Sequence, residues 1–345
     1  MTPNKSLIYK KVPKGLPVPG QDLVVETREI DLDAAPPAGG LVVKVLFASF
    51  DPYLRGRMRE AGTKSYTAPL ALDEPVVNDT VARVLASASP DFQPGDVVKV
   101  QGPVAEYAVV PDPKAQRVLK VHNPHDLDLA VFTGALGMPG LTAYSSLHRI
   151  GRPKAGETIF VSSAAGAVGQ LVGQIAKKEG LTVIGSVGSD EKLDFITKEL
   201  GFDAGFNYKT EKPADALRRL APNGIDIYYE NVGGEHLDAA LANMNVYGRI
   251  VACGMISQYN NTGDAYAVKN IGLIVPRQLT MQGFIVSSPD FGPAYYKEHQ
   301  EKVQAWLADG SLRVKMSFTE GIDHAAEGLV GIFEGKNFGK AVLRI

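Results

Sequence analysis

The segment Ile159–Gly169 has the residue types and spacing of a turn that binds the phosphates of a dinucleotide. Its sequence, IFVSSAAGAVG, leads from a predicted strand into a predicted helix. In such turns one small residue allows the tight bend, a second lets the backbone approach the pyrophosphate, and a third lets helix and strand pack closely. Ala164 takes the first position here, and Gly166 and Gly169 take the other two. Since a helix N-terminus attracts phosphate, the segment predicts a dinucleotide site, with an ordinary strand–helix turn as the alternative.

The end of the next predicted strand indicates which dinucleotide would bind. NAD-binding folds usually place Asp or Glu there, where the carboxylate holds the ribose 2′-hydroxyl. In this chain the strand ends in Gly188 and Ser189, and the acidic Asp190 and Glu191 follow where they suit the N-terminus of a helix. Lys192 comes next, within reach of a 2′-phosphate, although a lysine at such a position is more often a solvated helix residue. We therefore expect NADP(H).

The single cysteine, Cys253, limits the metal chemistry that is open to the chain. A catalytic zinc site with two Cys ligands cannot be assembled, and the six His show no metal-ligand spacing, so no metal site is expected. Tyr208 and Lys212 have the spacing of a short-chain dehydrogenase pair, but they follow the third strand and not a helix that lines the nicotinamide. A hydride-transfer enzyme that lacks a metal and a strong acid acts best on an activated acceptor such as a conjugated carbonyl.

Strands and helices alternate between about Leu129 and Ala308, which predicts successive strand–helix–strand units and a parallel sheet. The predicted strands are Thr158–Ser163, Thr182–Val187, Ala204–Asn207, Ile225–Glu230, Gly248–Cys253 and Leu279–Ile285. The predicted helices are Gly166–Glu179, Asp190–Leu200, Lys212–Leu220 and Glu235–Met244.

The N-terminal region, up to about Pro124, has short runs rich in β-branched residues, separated by turn residues, which are typical of a barrel-like β domain. The strands predicted there are Leu23–Glu26, Leu41–Phe47, Val81–Leu85, Val97–Val100 and Ala105–Val110. The last stretch, Arg313–Ile345, contains a helix pattern over Ile322–Glu334 and a strand pattern over Lys340–Ile345. The pattern alone allows this stretch to belong to either domain.

The composition excludes several classes of function. With 345 residues the chain is long enough for two domains. Lys and Arg number 36 against 38 Asp and Glu, so the chain lacks the basic excess that nucleic acids and anionic membranes attract. No uncharged run is long and unbroken enough to span a bilayer. One cysteine fits a reducing compartment, so we expect a cytoplasmic protein that binds neither nucleic acid nor membrane.

Several blocks of sequence occur together, and in this order, in one known family. The blocks are DPYLR from Asp51, GMPGLTAY from Gly137, AAGAVG from Ala164, VGSDEK from Val187, FNYK from Phe206, ENVGG from Glu230, CGMISQYN from Cys253 and NFGK from Asn337. On these blocks the chain resembles, over nearly its whole length, the zinc-independent medium-chain dehydrogenases/reductases. That group includes the prostaglandin reductases, leukotriene B4 12-hydroxydehydrogenases and alkenal double-bond reductases.

The resemblance implies an α/β protein with a Rossmann-type doubly wound parallel sheet and a GroES-like β-barrel catalytic domain. Residues 1–131 and 313–345 would form the catalytic domain, residues 132–312 the dinucleotide-binding domain, and the substrate would meet the nicotinamide in the cleft. The implied reaction is NADPH-dependent reduction of the C=C bond of α,β-unsaturated aldehydes and ketones by a homodimer. Residues implied to bind NADP(H) are Met138, Gly166, Ala167, Val168, Gly169, Lys192, Tyr208, Asn231, Cys253, Gly254, Ile256, Ser257, Tyr259, Phe284, Ile285, Val286 and Asn337.

Tyr259 and Tyr53 are the residues implied to border the substrate. In the expected reaction a hydride reaches the β carbon, and negative charge develops on the carbonyl oxygen, where hydrogen-bond donors would lower the barrier. The two tyrosine hydroxyls and a ribose hydroxyl of the cofactor are the candidate donors, and water could supply the proton. Some relatives carry a tyrosine shortly before the strand at Met281, whereas this chain has none between Tyr266 and that strand.

Other interpretations remain open at this stage. Within the same class, the chain could be a quinone oxidoreductase or a zinc-free secondary-alcohol dehydrogenase. In a different class, it could be a protein that binds NADP(H) without catalysing a reaction.

Overall fold

The computed structural model describes every residue of the chain, Met1–Ile345, and divides into two units. The first unit contains Met1–Gly134 and Met316–Ile345, and the second contains Ala135–Lys315. None of the helices combines the length and the apolar character needed to cross a membrane.

The secondary structure consists of sixteen strands and eight α-helices, joined in places by single turns of 3₁₀ or π helix. The strands are β1 (Thr2–Tyr9), β2 (Leu23–Ile30), β3 (Leu41–Ser49), β4 (Glu74–Pro75), β5 (Val77–Ser87), β6 (Val97–Pro103), β7 (Tyr107–Val110), β8 (Leu119–Lys120), β9 (Thr158–Val161), β10 (Thr182–Val187), β11 (Ala204–Asn207), β12 (Ile225–Glu230), β13 (Met244–Ala252), β14 (Thr280–Gly283), β15 (Met316–Glu320) and β16 (Lys340–Arg344). The helices are α1 (Leu54–Arg57), α2 (Met138–Ser146), α3 (Gly169–Lys178), α4 (Asp190–Asp194), α5 (Pro213–Leu220), α6 (Gly234–Asn243), α7 (Gly292–Ala308) and α8 (Ala325–Gly331).

The second unit is built around a six-stranded parallel sheet in the order β11-β10-β9-β12-β13-β14. The chain starts near the middle, works outward to β11, and then returns to add β12, β13 and β14 on the other side of β9. This is the doubly wound arrangement, in which ligands bind at the point where the strand order reverses. The fold class predicted for this part of the chain is therefore confirmed.

Aromatic side chains fill the core on one face of that sheet. The ring of Phe160 on β9 stacks on that of Tyr228 on β12 with 5.0 Å between centroids, and on that of Phe206 on β11 with 6.0 Å. All three side chains are buried. Because these residues lie on β9, β12 and β11, their packing ties together strands on both sides of β9.

The first unit is made of two sheets whose strands pair antiparallel, except for the parallel pair β15 and β16. A seven-stranded sheet runs β15-β16-β3-β5-β6-β8, with β7 also paired to β3, and a second sheet has the order β2-β1-β4. The C-terminal strand β16 pairs with β3, where Val342 lies opposite Ser49. The last residues of the chain therefore bring Lys340, at the start of β16, into the interior of this unit.

The observed elements differ from the predicted ones at several points. The strand predicted over Leu279–Ile285 is shorter, because β14 is an edge strand that pairs with β13 only from Thr280 to Gly283. The helix predicted over Asp190–Leu200 is α4 followed by a π turn, Phe195–Glu199. Helices α2 and α7 were not predicted, because α2 is buried on nearly all sides and α7 buries polar residues, which removes the amphipathic pattern.

Candidate functional site

The loops after β9 and β12 lie where the strand order reverses, and hydrogen bonds join them directly. The backbone N–H of Asn231 donates to Oγ of Ser162 over 2.9 Å, and its side-chain amide donates to the carbonyl oxygen of Ser162 over 2.8 Å. Asn231, implied to bind the cofactor, is therefore held against the turn that contains the predicted phosphate-binding residues. The other predicted residues of the second unit follow β10, β11, β13 and β14 or begin α2.

The turn after β9 requires its glycines for steric reasons. Ser163 adopts a positive φ of 51°, and its carbonyl oxygen accepts a hydrogen bond from the N–H of Gly166 over 2.9 Å. A Cβ atom on Gly169 would lie 2.3 Å from that same carbonyl oxygen, which no real side chain tolerates. Gly166, Ala167 and Val168 then lead into α3, where the N–H groups of Gln170 and Leu171 donate to the carbonyl oxygens of Gly166 and Val168. This small-residue cradle at a helix N-terminus fits a pyrophosphate group.

The ends of β10 and β11 bring two lysines and a tyrosine together around Gly188. A Cβ atom on Gly188 would lie 2.8 Å from the hydroxyl oxygen of Tyr208, so only glycine lets that ring take its position. Lys192 is half-buried, and burial, together with the nearby charge of Lys209, lowers the pKa of its ammonium group. Two adjacent cations and a hydroxyl group fit a phosphate dianion, because such an anion relieves their mutual repulsion.

Lys209 was quoted in the FNYK block, but sequence reasoning gave it no role. The signal that could have found it is its position directly after Tyr208 at the end of a strand next to β10. Parallel neighbouring strands end at the same edge of a sheet, so residues after β10 and β11 meet there.

The loop after β12 is organised by a buried acid that was also not predicted. Oε1 of Glu230 accepts hydrogen bonds from the Tyr228 hydroxyl over 2.8 Å and from the N–H groups of Val232 and Gly233 over 2.6 and 2.8 Å. Its Oε2 has no hydrogen-bond partner, and burial raises the pKa of this carboxyl group. Glu230 thus fixes the backbone of the ENVGG segment from inside.

The segment from Cys253 to Tyr259 is attached to that loop through its backbone. The N–H groups of Cys253 and Gly254 both donate to the Glu230 carbonyl oxygen, and those of Ile256 and Ser257 donate to the next two carbonyl oxygens of the loop. Burial raises the pKa of the Cys253 thiol to about 12, so the thiol stays protonated at neutral pH. Such a thiol serves as a packing group and not as a nucleophile.

Tyr259 lies over this segment with its hydroxyl against the backbone. A Cβ atom on Gly254 would be 2.8 Å from the Tyr259 hydroxyl oxygen, and that oxygen accepts the N–H of Met255 over 3.3 Å. The hydroxyl is therefore held in place by the chain around it. This orientation requires glycine at 254, in the same way that Tyr208 requires glycine at 188.

The remaining predicted residues of the second unit lie at the start of α2 and directly after β14. Met138 begins α2, and its sulfur accepts a hydrogen bond from Thr142. Phe284, Ile285 and Val286 follow β14 as a partly buried, non-strand segment. The ring of Phe284 stacks on that of Phe291 with 5.1 Å between centroids. This segment offers an apolar surface and main-chain groups.

Two predicted residues belong to the first unit. The hydroxyl of Tyr53, just before α1, donates to Oδ1 of Asn78 over 2.6 Å, and burial raises the pKa of this phenol well above its usual range. The side-chain amide of Asn337 donates to the carbonyl oxygen of Gly339 over 2.8 Å. Across the chain, no group of three or more His, Cys, Asp and Glu side chains is arranged to hold a metal ion.

Comparison with known proteins gives matches over the whole chain. Residues 5–118 match the family described as the N-terminal domain of oxidoreductase, and residues 167–303 match the zinc-binding dehydrogenase family. The chain is 51% identical to the NADP-dependent oxidoreductase RED1 of Cochliobolus heterostrophus, covering 100% of this chain and 98% of the relative. It is 43% identical to a 2-alkenal reductase (NADP(+)-dependent) of Nicotiana tabacum, covering 99% and 97%. The structure of CurA from Vibrio vulnificus in complex with NADPH is similar, with a TM-score of 0.88, 35% identity, and 99% and 98% coverage.

Proposed function

The chain belongs to the medium-chain dehydrogenase/reductase family, and on that premise we propose that it reduces the C=C bond of α,β-unsaturated aldehydes and ketones. It is an NADP-dependent oxidoreductase, as its relatives' names and the NADPH complex of a similar structure indicate. The finer assignment of substrate is supported by the tobacco 2-alkenal reductase, which is similar over nearly the full length of both chains.

The arrangement around Gly188 is the observation that carries the cofactor assignment. Position 188 is glycine and not the acid typical of NAD-binding folds, and a side chain there would displace the Tyr208 hydroxyl, 2.8 Å from the Cβ position. Lys192 and Lys209 would bind the 2′-phosphate with Tyr208, and the turn from Gly166 to Gly169 would bind the pyrophosphate. When bound, NADPH supplies a hydride.

The residues of the chain would orient the cofactor and the substrate and stabilise the negative charge that develops during reduction. We propose that Asn231 and the segments 253–259 and 284–286 contact the nicotinamide riboside, with Met138 and Asn337 also contributing. Reduction of an enone places negative charge on its carbonyl oxygen, and a donor aimed at that oxygen lowers the barrier by an amount typical of oxyanion holes. Tyr259 and Tyr53 are the side chains that we propose to contact the substrate, and the hydroxyl of Tyr259 is the donor that we favour.

The proposed function is tested by measuring NADPH consumption with a panel of substrates and identifying the products. The panel contains medium-chain 2-alkenals, alkenones, a quinone and, with NADP⁺, a secondary alcohol. We expect saturated aldehydes and ketones from the enals and enones, and no allylic alcohols. Allylic alcohol products, or turnover of only the quinone or the secondary alcohol, would replace this function with another of the same family.

Binding without turnover is a separate outcome of that experiment. If calorimetry shows tight NADPH binding while no substrate in the panel oxidises it, the chain is a non-catalytic NADP(H)-binding protein. We also propose a homodimer, which sedimentation velocity with and without NADPH would test by the mass of the species in solution.

A further inference from the structure

A row of buried polar side chains in the first unit connects Lys340 to the hydroxyl of Tyr53. Nζ of Lys340 donates to Oδ1 of Asp51 over 3.1 Å and to the carbonyl oxygen of Phe50 over 2.6 Å. Oδ2 of Asp51 accepts from the amide nitrogen of Asn78 over 2.9 Å, and Oδ1 of Asn78 accepts from Tyr53 over 2.6 Å. Lys340 and Asp51 are each only 2% exposed, and Asn78 is completely buried. The row is therefore sealed from water at its charged end.

The chemistry of these groups fixes the direction of every hydrogen bond in the row. An ionised carboxylate and a backbone carbonyl oxygen can only accept. The amide nitrogen of Asn78 faces one acceptor of each kind, since it lies 2.9 Å from Oδ2 of Asp51 and 2.6 Å from the carbonyl oxygen of Ser49. Its amide oxygen must then face Tyr53 and, as an acceptor, receive the tyrosine proton. A phenol has one proton, so the Tyr53 proton is committed to Asn78.

We infer that Lys340, acting through Asp51 and Asn78, is a positioning residue that turns the Tyr53 proton away from the substrate, so that Tyr53 acts there as a hydrogen-bond acceptor and not as an acid. This inference rests on the proposed function, which places Tyr53 beside the substrate. It makes Tyr53 a specificity-determining residue that favours substrates with a donor, such as a hydroxyl group, in addition to the conjugated carbonyl. It leaves proton donation at the carbonyl oxygen to other groups.

Lys340 supports the carboxylate end of the row, while the Ser49 carbonyl oxygen is the second acceptor that orients the Asn78 amide. Burial disfavours an ionised carboxylate unless a cation and hydrogen bonds compensate for the lost water. Without Lys340, the cation that holds the Asp51 carboxylate in place against the Asn78 amide is lost. The Ser49 carbonyl oxygen alone would then hold the Asn78 amide, so the amide oxygen could move off the line to the Tyr53 hydroxyl and free the tyrosine proton. The conservative Lys340→Arg change keeps the charge, whereas Lys340→Met keeps the length of the stem without it.

The kinetic test uses pairs of substrates that differ by one hydroxyl group: 2-nonenal with 4-hydroxy-2-nonenal, and 4-phenyl-3-buten-2-one with its para-hydroxy derivative. For Tyr53→Phe we expect KM to rise about fivefold more for a hydroxylated member than for its parent, the usual effect of losing one neutral hydrogen bond. We expect kcat to fall less than tenfold. A loss of about 100-fold or more in kcat, as for a missing general acid, would overturn the inference, and so would equal KM changes within both pairs.

Lys340→Met should reproduce the selective rise in KM, and Lys340→Arg should restore at least part of the discrimination. In the Tyr53→Phe background, Lys340→Met should cause no further change in the KM ratio, because the acceptor is already absent. A purely structural role for Lys340 would instead lower the melting temperature and leave the KM ratio unchanged, which would contradict the inference.

Neutron diffraction of the wild-type protein provides a readout that does not depend on activity or on folding of a variant. We expect a deuteron on the line from Tyr53 to Oδ1 of Asn78, and the two amide deuterons of Asn78 directed at Asp51 and Ser49. A reversed amide, or a Tyr53 deuteron pointing elsewhere, would overturn the positioning role even if the enzyme reduces enones. Failure of the proposed function is recognised separately, by wild-type protein that oxidises no NADPH with any enone.

Discussion

The two units hold their tyrosines by different physical means. In the second unit, Tyr259 and Tyr208 are placed by close approach to backbone, which glycines at 254 and 188 make possible. In the first unit, Tyr53 is placed by a side-chain row that ends in a buried ion pair between Lys340 and Asp51. The nucleotide-binding region should therefore be sensitive to added atoms, and the Tyr53 region to changes of charge. The predictions below test that contrast.

The largest effect is expected from adding atoms to the proposed phosphate-binding turn, residues 164–169, called the phosphate turn below. Gly169→Val places carbon atoms where the Ser163 carbonyl oxygen already lies, 2.3 Å from the Cβ position, so the turn must open. We expect NADPH affinity to fall by about three orders of magnitude, and the free energy of unfolding to fall by about 1–3 kcal/mol, the usual cost of overpacking. Calorimetric titration and thermal unfolding measure the two effects.

A glycine with free space provides the matched control for that substitution. Gly272 lies in the same unit, has no atom within 4 Å of its Cβ position, and does not adopt a positive φ. Gly272→Val should leave NADPH affinity within about threefold. If Gly169→Val also binds NADPH normally, the turn is not the phosphate site.

The contrast between local backbone contacts and long-range side-chain contacts also explains how well the sequence predicted each region. The phosphate turn lies within six consecutive residues, from Ala164 to Gly169, so its steric requirements are visible in the sequence. The ion pair of Asp51 with Lys340 joins residues 289 positions apart, and no local pattern indicates that β16 returns to β3. Lys209 falls between these cases, since its role requires knowing that β10 and β11 are neighbours.

Buried helices and edge strands were the elements that sequence patterns described least well. The residues of α2 are nearly all buried, so apolar and small residues occur on every side and the helical period is lost. The extent of β14 depends on how far its one neighbour pairs with it, which is a tertiary property. The alternation of strands and helices was sufficient for the fold class, because each of the other predicted units repeats the same local pattern.

The second-largest effect concerns the acid stability of the second unit. His236 is 5% exposed, with its ring 6.4 Å from those of Phe160 and Phe206, and burial lowers its pKa from 6.5 to about 4. The unfolded chain therefore binds a proton near pH 6.5 that the folded chain binds only near pH 4, so stability is lost as the pH falls through this window. The lowered pKa corresponds to a loss of about 3 kcal/mol in the free energy of unfolding across this pH window.

His236→Phe should remove that part of the pH dependence and keep the aromatic packing. Urea unfolding at pH 7 and pH 4 measures it as the difference in unfolding free energy between wild type and variant. The exposed His125, changed to Gln, is the control and should unfold with the wild-type pH dependence. A His236→Phe variant as acid-sensitive as wild type would show that another group causes the loss.

Removal of the Tyr259 hydroxyl tests whether Tyr259, and not Tyr53, is the hydrogen-bond donor to the substrate carbonyl oxygen. Tyr259→Phe should lower kcat for enones by about 100-fold, the effect of losing one donor at a developing oxyanion. KM for NADPH should change little, because the ring still packs on Gly254. Steady-state kinetics beside Tyr53→Phe makes the comparison direct, since the latter is expected to act mainly on KM. Unchanged turnover in Tyr259→Phe would leave proton handling to the cofactor ribose and water.

The smallest effect is expected at the proposed 2′-phosphate site, because two lysines would share the charge of the phosphate. Lys192→Ala removes one of them, and Lys209 would still face the proposed phosphate position. The Kd for NADPH should therefore rise about tenfold, at the lower end for hydrogen bonds to charged groups. The Kd for NADH should stay within about twofold, since NADH has no 2′-phosphate. The double variant Lys192→Ala/Lys209→Ala should raise the Kd for NADPH about 100-fold.

Lys198, exposed and paired with Asp194, provides the control, and its change to Ala should leave the Kd for NADPH unchanged. Equal losses for NADPH and NADH would mean that these lysines support the fold of the strand ends and do not recognise the phosphate, and the cofactor preference would then have to come from Tyr208 and the absence of an acid at Gly188.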